Sequence, residues 1–223
     1  TNRTEQALAP LLSEERNSRI AELLSIGSIG SPVIGGEWIF YRKREGDREQ
    51  PILFGRREIE IDGHFVPQIH PLIDPQTYGE RAALDWFYPS PSGRFIAFGI
   101  SHNGDERSTL HLLDTTTGQL LDERIPRTKW TSVSWLHDES GFYYRRYPNP
   151  GEEGFDPEHE DTAFPRVFFH RIGAPIEQDV FVFGGNAPTD FPGVSVSDDD
   201  RWLVMTNWRG WSASDVYLFN RGS

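Results

Sequence analysis

The sequence contains no cysteine, which excludes disulfides, a thiolate nucleophile and any cysteine-ligated metal site. It holds no apolar run approaching the roughly 18 residues of a membrane-spanning helix. Its opening residues show no basic stretch leading into an apolar one, so no secretory signal is read there. Basic residues are outnumbered, with 22 Lys and Arg against 34 Asp and Glu and a net charge of −12. That balance argues against a nucleic-acid backbone or an anionic membrane surface as partner, because both require a basic footprint. The expected compartment is the cytoplasm, with the periplasm as the alternative, since lack of cysteine suits both.

Two catalytic signatures are also missing. The histidines at positions 64, 70, 102, 111, 137, 159 and 170 form neither H-x-H nor H-E-x-x-H, so no zinc centre is expected. No G-x-S-x-G pentapeptide occurs: GSIGS at 27–31 has the wrong order and GVSVS at 193–197 lacks the closing glycine. Without that strained strand-to-helix turn no serine is held exposed beside an oxyanion hole, and no nucleophile is assigned.

What the chain does have is punctuation. Its 16 prolines and 21 glycines, with 13% aromatic residues, imply many turns between β-rich segments. Only residues 1–27 read as helical. Leu8, Leu11 and Leu12 form one apolar cluster, interrupted by Pro10. Ser13 followed by Glu14 and Glu15 then marks a helix carrying Ile20, Leu23 and Leu24, with Gly27 as its stop. The opening TNRTEQAL has no cap of its own, which leaves room for a helix beginning before residue 1.

A hairpin signal recurs three times beyond this point. KWTSVSWLHDESGFYYRRY (129–147) turns between Asp138 and Gly141; LDWFYPSPSGRFIAFGI upstream turns at Pro91 to Gly93; FPGVSVSDDDRWLVMT downstream turns at Asp198 to Asp200. With Gly93, Gly141 and Asp200 as equivalent positions, the spacings are 48 and 59 residues. The first is close to a propeller-blade repeat, and the second is lengthened by an acidic insertion from Pro148 to Pro165. Each hairpin is followed by further strands, such as Thr109 to Leu113 and Gln119 to Ile125, or Arg166 to Arg171 and Asp179 to Phe183. In the earliest unit, Glu37 to Arg42, Pro51 to Arg56, Ile59 to Ile61 and Val66 to Ile73 are read as four strands. A single open sheet of some fifteen strands would curl or split, whereas radial repetition solves the edge problem. The competing architecture is a β-sandwich. The expected fold is all-β, a β-propeller segment of about four blades after a short N-terminal helical region. Its blades fall at approximately 28–80, 81–127, 128–185 and 186–223, all within a partial propeller over 28–223.

These stretches resemble a known family. EWIFYRKREGDREQPILF, LIDP with GERAALD, SPSGRFIAFGISHNGDE, SWLHDESGFYYRRYP, RVFFHRIG and VSVSDDDRWLVM, in that order, are similar to the N-terminal part of the prolyl oligopeptidases. In those serine peptidases a seven-bladed β-propeller caps an α/β-hydrolase domain. The resemblance implies that further blades and the hydrolase domain, with the catalytic serine and histidine, follow residue 223. It also implies cleavage of short peptides after proline through a Ser-His-Asp triad, with the propeller restricting access to small peptides. No catalytic residue, cofactor or metal ligand is therefore expected in these 223 residues, and the segment alone is expected to be inactive. Short peptides are the expected substrates and the downstream hydrolase domain the expected partner. A fourth blade that stops after three strands would leave apolar faces wet, so self-association of the chain is expected.

By the same resemblance Trp130, Phe191 and Trp211 stand where the propeller lines the substrate cavity and help form a pocket for the residue third from the scissile bond on its amino side. The competing reading for each is packing between blades. The insertion residues Glu152, Glu153, Asp156, Glu158, His159, Glu160 and Asp161 lack D-x-D-x-D-G spacing, so a solvated acidic loop is expected in preference to calcium. His170 falls at a strand position consistent with a structural role. Arg145, Arg146 and Arg209 point either to the cavity or to solvent, which sequence leaves open. Two rival functions remain, a stand-alone propeller acting as a non-catalytic binding module and an oligopeptidase that cleaves after basic residues.

Overall fold

The computed structural model describes residues 13–46 and 48–222. Leu8, Pro10, Leu11 and Leu12 lie outside the described residues. Helix α1 (Glu14–Leu24) begins at Ser13, whose side chain accepts a hydrogen bond from Arg16 N at 3.2 Å, and carries Glu14 and Glu15 in its first turn. Its apolar residues Ile20, Leu23 and Leu24 are exposed. What ties its end to the first sheet is Arg44, which donates to the carbonyls of Leu24 (3.1 Å) and Ile26 (2.9 Å).

Four antiparallel sheets make up the remainder. The first holds β1 (Ser28–Ile29), β2 (Val33–Gly35), β3 (Trp38–Arg44), β4 (Ile52–Ile61) and β5 (His64–Ile73); β1 and β2 both pair with β3, at its two ends. The second runs β6 (Ala82–Pro89), β7 (Phe95–His102), β8 (Thr109–Asp114), β9 (Gln119–Ile125). The third runs β10 (Val133–Trp135), β11 (Gly141–Arg146), β12 (Arg166–Arg171), β13 (Val180–Gly184). The fourth has β14 (Asp190–Val196), β15 (Trp202–Arg209) and β16 (Ala213–Asn220). This is the expected partial propeller, each sheet a chain-order meander.

Two details differ from the sequence reading. Residues 52–61 form one strand, not two, and the first strand of that sheet is the pair β1 and β2. Arg57 and Glu58, which separate the two expected strands, continue a ribbon that leaves the core. Asp62 and Gly63, with φ of +50° and +77°, turn it back and pair Ile61 with His64, the two-residue turn that an Asp-Gly sequence favours. The repeat register also shifts. Gly93, Glu139 and Asp200 all have positive φ, and their amides donate to Ser90, Leu136 and Ser197 respectively. Glu139, not Gly141, is thus the equivalent turn position, and the spacings are 46 and 61 residues. These turns also link neighbouring sheets: the Glu139 carboxylate accepts from Ser92 N (2.7 Å), and Asp200 accepts from His137 N (3.0 Å).

Strand alternation puts successive side chains on opposite faces, so each inner sheet packs both ways. On β7, Ile96, Phe98 and Ile100 join Trp38, Phe40 and Leu53 of the first sheet, while Phe95 and Ala97 join Trp135, Phe142 and Tyr144 of the third. Tyr143 and Val167 meet Leu203 and Met205 of the fourth. Among the described residues the outermost surfaces have no such cover: Phe65 and Ile34 at one end, Val216, Leu218 and Phe219 at the other, are 60–74% exposed. Among the described residues no helix is long and apolar enough to cross a membrane.

Candidate substrate-facing cleft

The segment joining β9 to β10 is fixed by Thr128, whose N–H and hydroxyl both donate to Ser108 O at 3.0 and 2.9 Å. Arg127 and Trp130 then take left-handed backbone conformations (φ +63° and +51°), uncommon for non-glycine residues and held only by surrounding contacts. Thr131 provides one of those contacts, since its hydroxyl donates to Arg145 O (2.7 Å) and accepts from Arg145 N (3.0 Å). The result is an indole half exposed over the groove between the third and fourth sheets. The ring of Phe191 lies 6.4 Å from it, edge-on at 62°. Phe191 in turn pairs across β14 and β15 with Trp208, ring to ring at 6.5 Å.

These three aromatics, with Tyr88, Ser132, Arg145 and neighbouring residues of β14 and β15, line an open cleft of about 400 Å³. Its floor carries the Arg145 guanidinium, 3.6 Å above the Phe191 ring centre and donating Nη1 to Pro192 O at 2.6 Å. Burial pulls its pKa down to about 10, with Tyr147 and Tyr88 opposing, which leaves it charged at neutral pH. Trp130 and Phe191 are thus brought together. Trp211 is not in the cleft; it stands fully exposed in the turn after Gly210, at the same end of the sheet as Phe191.

Trp208, Tyr88 and the position of Arg145 were missed in the sequence. Trp208 was countable: with Val196 paired to Leu203 across the DDD turn, regular register sets Phe191 opposite Trp208. The other two arginines go elsewhere. Arg146 forms a two-pronged pair with Glu152 (2.7 and 2.8 Å), and Arg209 pairs with Asp215 at 2.6 Å.

The acidic insertion is not a freely solvated loop. Arg107 reaches Asp161 (2.5 Å) and Glu160 (3.1 Å); Arg127 hydrogen-bonds the side chain and backbone carbonyl of Glu160 and stacks 5.4 Å over Phe155. Burial disfavours charge on Glu152, but hydrogen bonds from Arg146 and Asn149 outweigh it and hold the carboxyl down at about 2. Sequence patterning missed this because the partners lie on other segments. Glu153 and Glu158 remain exposed. Among the described residues no group of three or more His, Asp or Glu is placed to hold a metal. His170 is buried in a network, its Nδ1 2.7 Å from Asp179, which accepts from the Tyr144 hydroxyl at 2.6 Å.

Residues 2–223 match the family model described as prolyl oligopeptidase, N-terminal beta-propeller domain. The chain belongs to that family. A prolyl endopeptidase of Elizabethkingia meningoseptica is 26% identical over 212 residues, 92% of this chain and 28% of that protein. Prolyl oligopeptidase A of Amanita bisporigera is 27% identical over 153 residues, 60% of this chain and 20% of that protein. A solved structure from a study of two prolyl endopeptidases superposes with a TM-score of 0.83 at 25% identity, covering all of this chain and 32% of that one. Prolyl oligopeptidase B of Galerina marginata, bound to a 25-residue macrocyclization substrate, shares the fold at a TM-score of 0.74 and 20% identity, over 91% of this chain and 31% of that one. The chain therefore spans about a third or less of the length of these prolyl oligopeptidase relatives.

Proposed function

We propose that this chain is the substrate-gating propeller portion of a serine peptidase that hydrolyses short peptides after proline, with the catalytic triad on a hydrolase domain downstream. The observation that carries this reading is the meeting of Trp130 and Phe191 over one cleft at one end of the sheets, in a chain of the prolyl oligopeptidase propeller family. Flat, stiff aromatic walls bind an apolar side chain with little entropy lost, and an open cleft of this size holds one peptide residue. The propeller residues select and orient the peptide, and acyl transfer takes place outside them. Trp211, exposed at the same end, is proposed as a further contact with longer peptides. The segment alone is proposed to be inactive and to self-associate.

In the protein carrying the hydrolase domain, Trp130→Ala should lower kcat/KM about tenfold for proline substrates with a bulky third residue, by loss of aromatic contact. It should leave a two-residue proline substrate unchanged. Equal losses on both would remove Trp130 from the pocket. Chromogenic proline and arginine peptides test the cleavage preference itself, and faster turnover of the arginine peptide would overturn it.

A further inference from the structure

Two adjacent arginines on β11 are buried to the same degree, Arg145 at 3% and Arg146 at 4% exposure, and only one is neutralised. Arg146 has the Glu152 carboxylate at 2.7 Å. Arg145 has no carboxylate within ion-pair distance among the described residues, and its one side-chain hydrogen bond goes to Pro192 O; the Nε atoms of both arginines are buried without an acceptor, so the missing carboxylate is what sets Arg145 apart. The hydroxyl of Ser132, lining the same cleft, is likewise buried without a partner among the described residues. An uncompensated charge removed from water is costly, and buried polar groups left unpaired are few in native proteins. Stacking on Phe191 at 3.6 Å recovers only part of that cost.

From this arrangement we infer that the cleft takes a carboxylate: Arg145, with Ser132 beside it, makes the site selective for peptides presenting an acidic group between the Trp130, Phe191 and Trp208 walls. The inference rests on the proposed substrate-binding role of this cleft and adds the chemical class of group it prefers. In a chain of net charge −12 the positive charge is local, so selection depends on entering the cleft rather than on long-range attraction. A guanidinium meets a carboxylate with charge-assisted, shape-matched hydrogen bonds, and aromatic walls exclude the water that would weaken them. Two sources of carboxylate fit, an acidic side chain or a free peptide C-terminus.

The test is an equilibrium titration of this chain, followed by tryptophan fluorescence, with acetyl-Glu-Gly-Pro-amide, acetyl-Gln-Gly-Pro-amide and acetyl-Gln-Gly-Pro bearing a free C-terminus. One of the two carboxylate peptides should bind about tenfold tighter than the neutral amide at low salt, and which one does identifies the source. Arg145→Met should bring the ratio of carboxylate-peptide to neutral-amide affinity to one, whatever it does to binding of the amide itself, and Arg145→Lys should retain part of the ratio. If Arg145 served packing alone, Arg145→Met would lower stability and leave the ratio of affinities intact, which would overturn the inference. Equal binding of all three peptides to the unmodified chain would overturn it without any variant, and would leave the cleft as a neutral pocket. Failure of all three to bind would remove the substrate-cleft reading itself, and this inference with it.

Discussion

Replacing Glu152 by Gln keeps the shape of the side chain and removes its charge, and the surrounding geometry sets the size of the effect. The Arg146 guanidinium, 4% exposed, loses the carboxylate at 2.7 and 2.8 Å that compensates it, and Asn149 N loses a charged acceptor at 2.9 Å. The carboxyl is displaced from 4.5 to about 2 on folding, which at about 1.4 kcal/mol per pH unit corresponds to roughly 3 kcal/mol. The Glu152 side chain is 34% exposed, so solvent screening reduces this to about 2 kcal/mol. A pKa depressed on folding stabilises fully above pH 4.5, and the stabilisation is lost as pH falls from there towards 2. Hydrogen exchange read by mass spectrometry at pH 7 should therefore show roughly thirtyfold faster exchange in the first half of the insertion, about residues 148–157. The second half should stay protected by Arg107 and Arg127, and β7 should not change. The variant should also lack the unmodified chain's weakening between pH 4.5 and 2. Unchanged exchange in residues 148–157 would refute the claim that this pair holds the insertion down.

Two further predictions concern the sheets. Gly99 lies directly beneath the Trp86 ring, where an added Cβ would meet ring atoms at 2.2 to 2.5 Å, so Gly99→Ala should displace the indole and cost about 1–3 kcal/mol; an unchanged urea midpoint would refute the close approach. The uncovered strand β16, with Val216, Leu218 and Phe219 each at least 60% exposed, should drive concentration-dependent self-association of the chain, and light scattering that reports a monomer across the micromolar range would dismiss it.

Much of the fold was legible because it depends on local rules. Pro91-Ser92-Gly93 and Asp114 to Gly118 mark turns whatever surrounds them, and alternation between them makes β8 readable to within a residue. The ten-residue β4 was not, because Arg56, Arg57 and Glu58 sit where the ribbon leaves the core and burial no longer requires alternation. Of the cleft, Trp130 and Phe191 were nameable only through the family resemblance, and that they meet depends on how the third and fourth sheets pack.

The repeat, the all-β class and the absence of cysteine chemistry and of a nucleophile elbow are properties of residue type and spacing, and the amino-acid order alone is enough to establish them. Which of two neighbouring arginines is neutralised is settled only in three dimensions. Alternation along β11 sends Arg146 to the face shared with the second sheet, where the insertion brings Glu152. It sends Arg145 to the opposite face, against Phe191 and Pro192, where no carboxylate of the described residues reaches it. Charge pairing across sheets is set by packing between distant segments, and no local pattern encodes it.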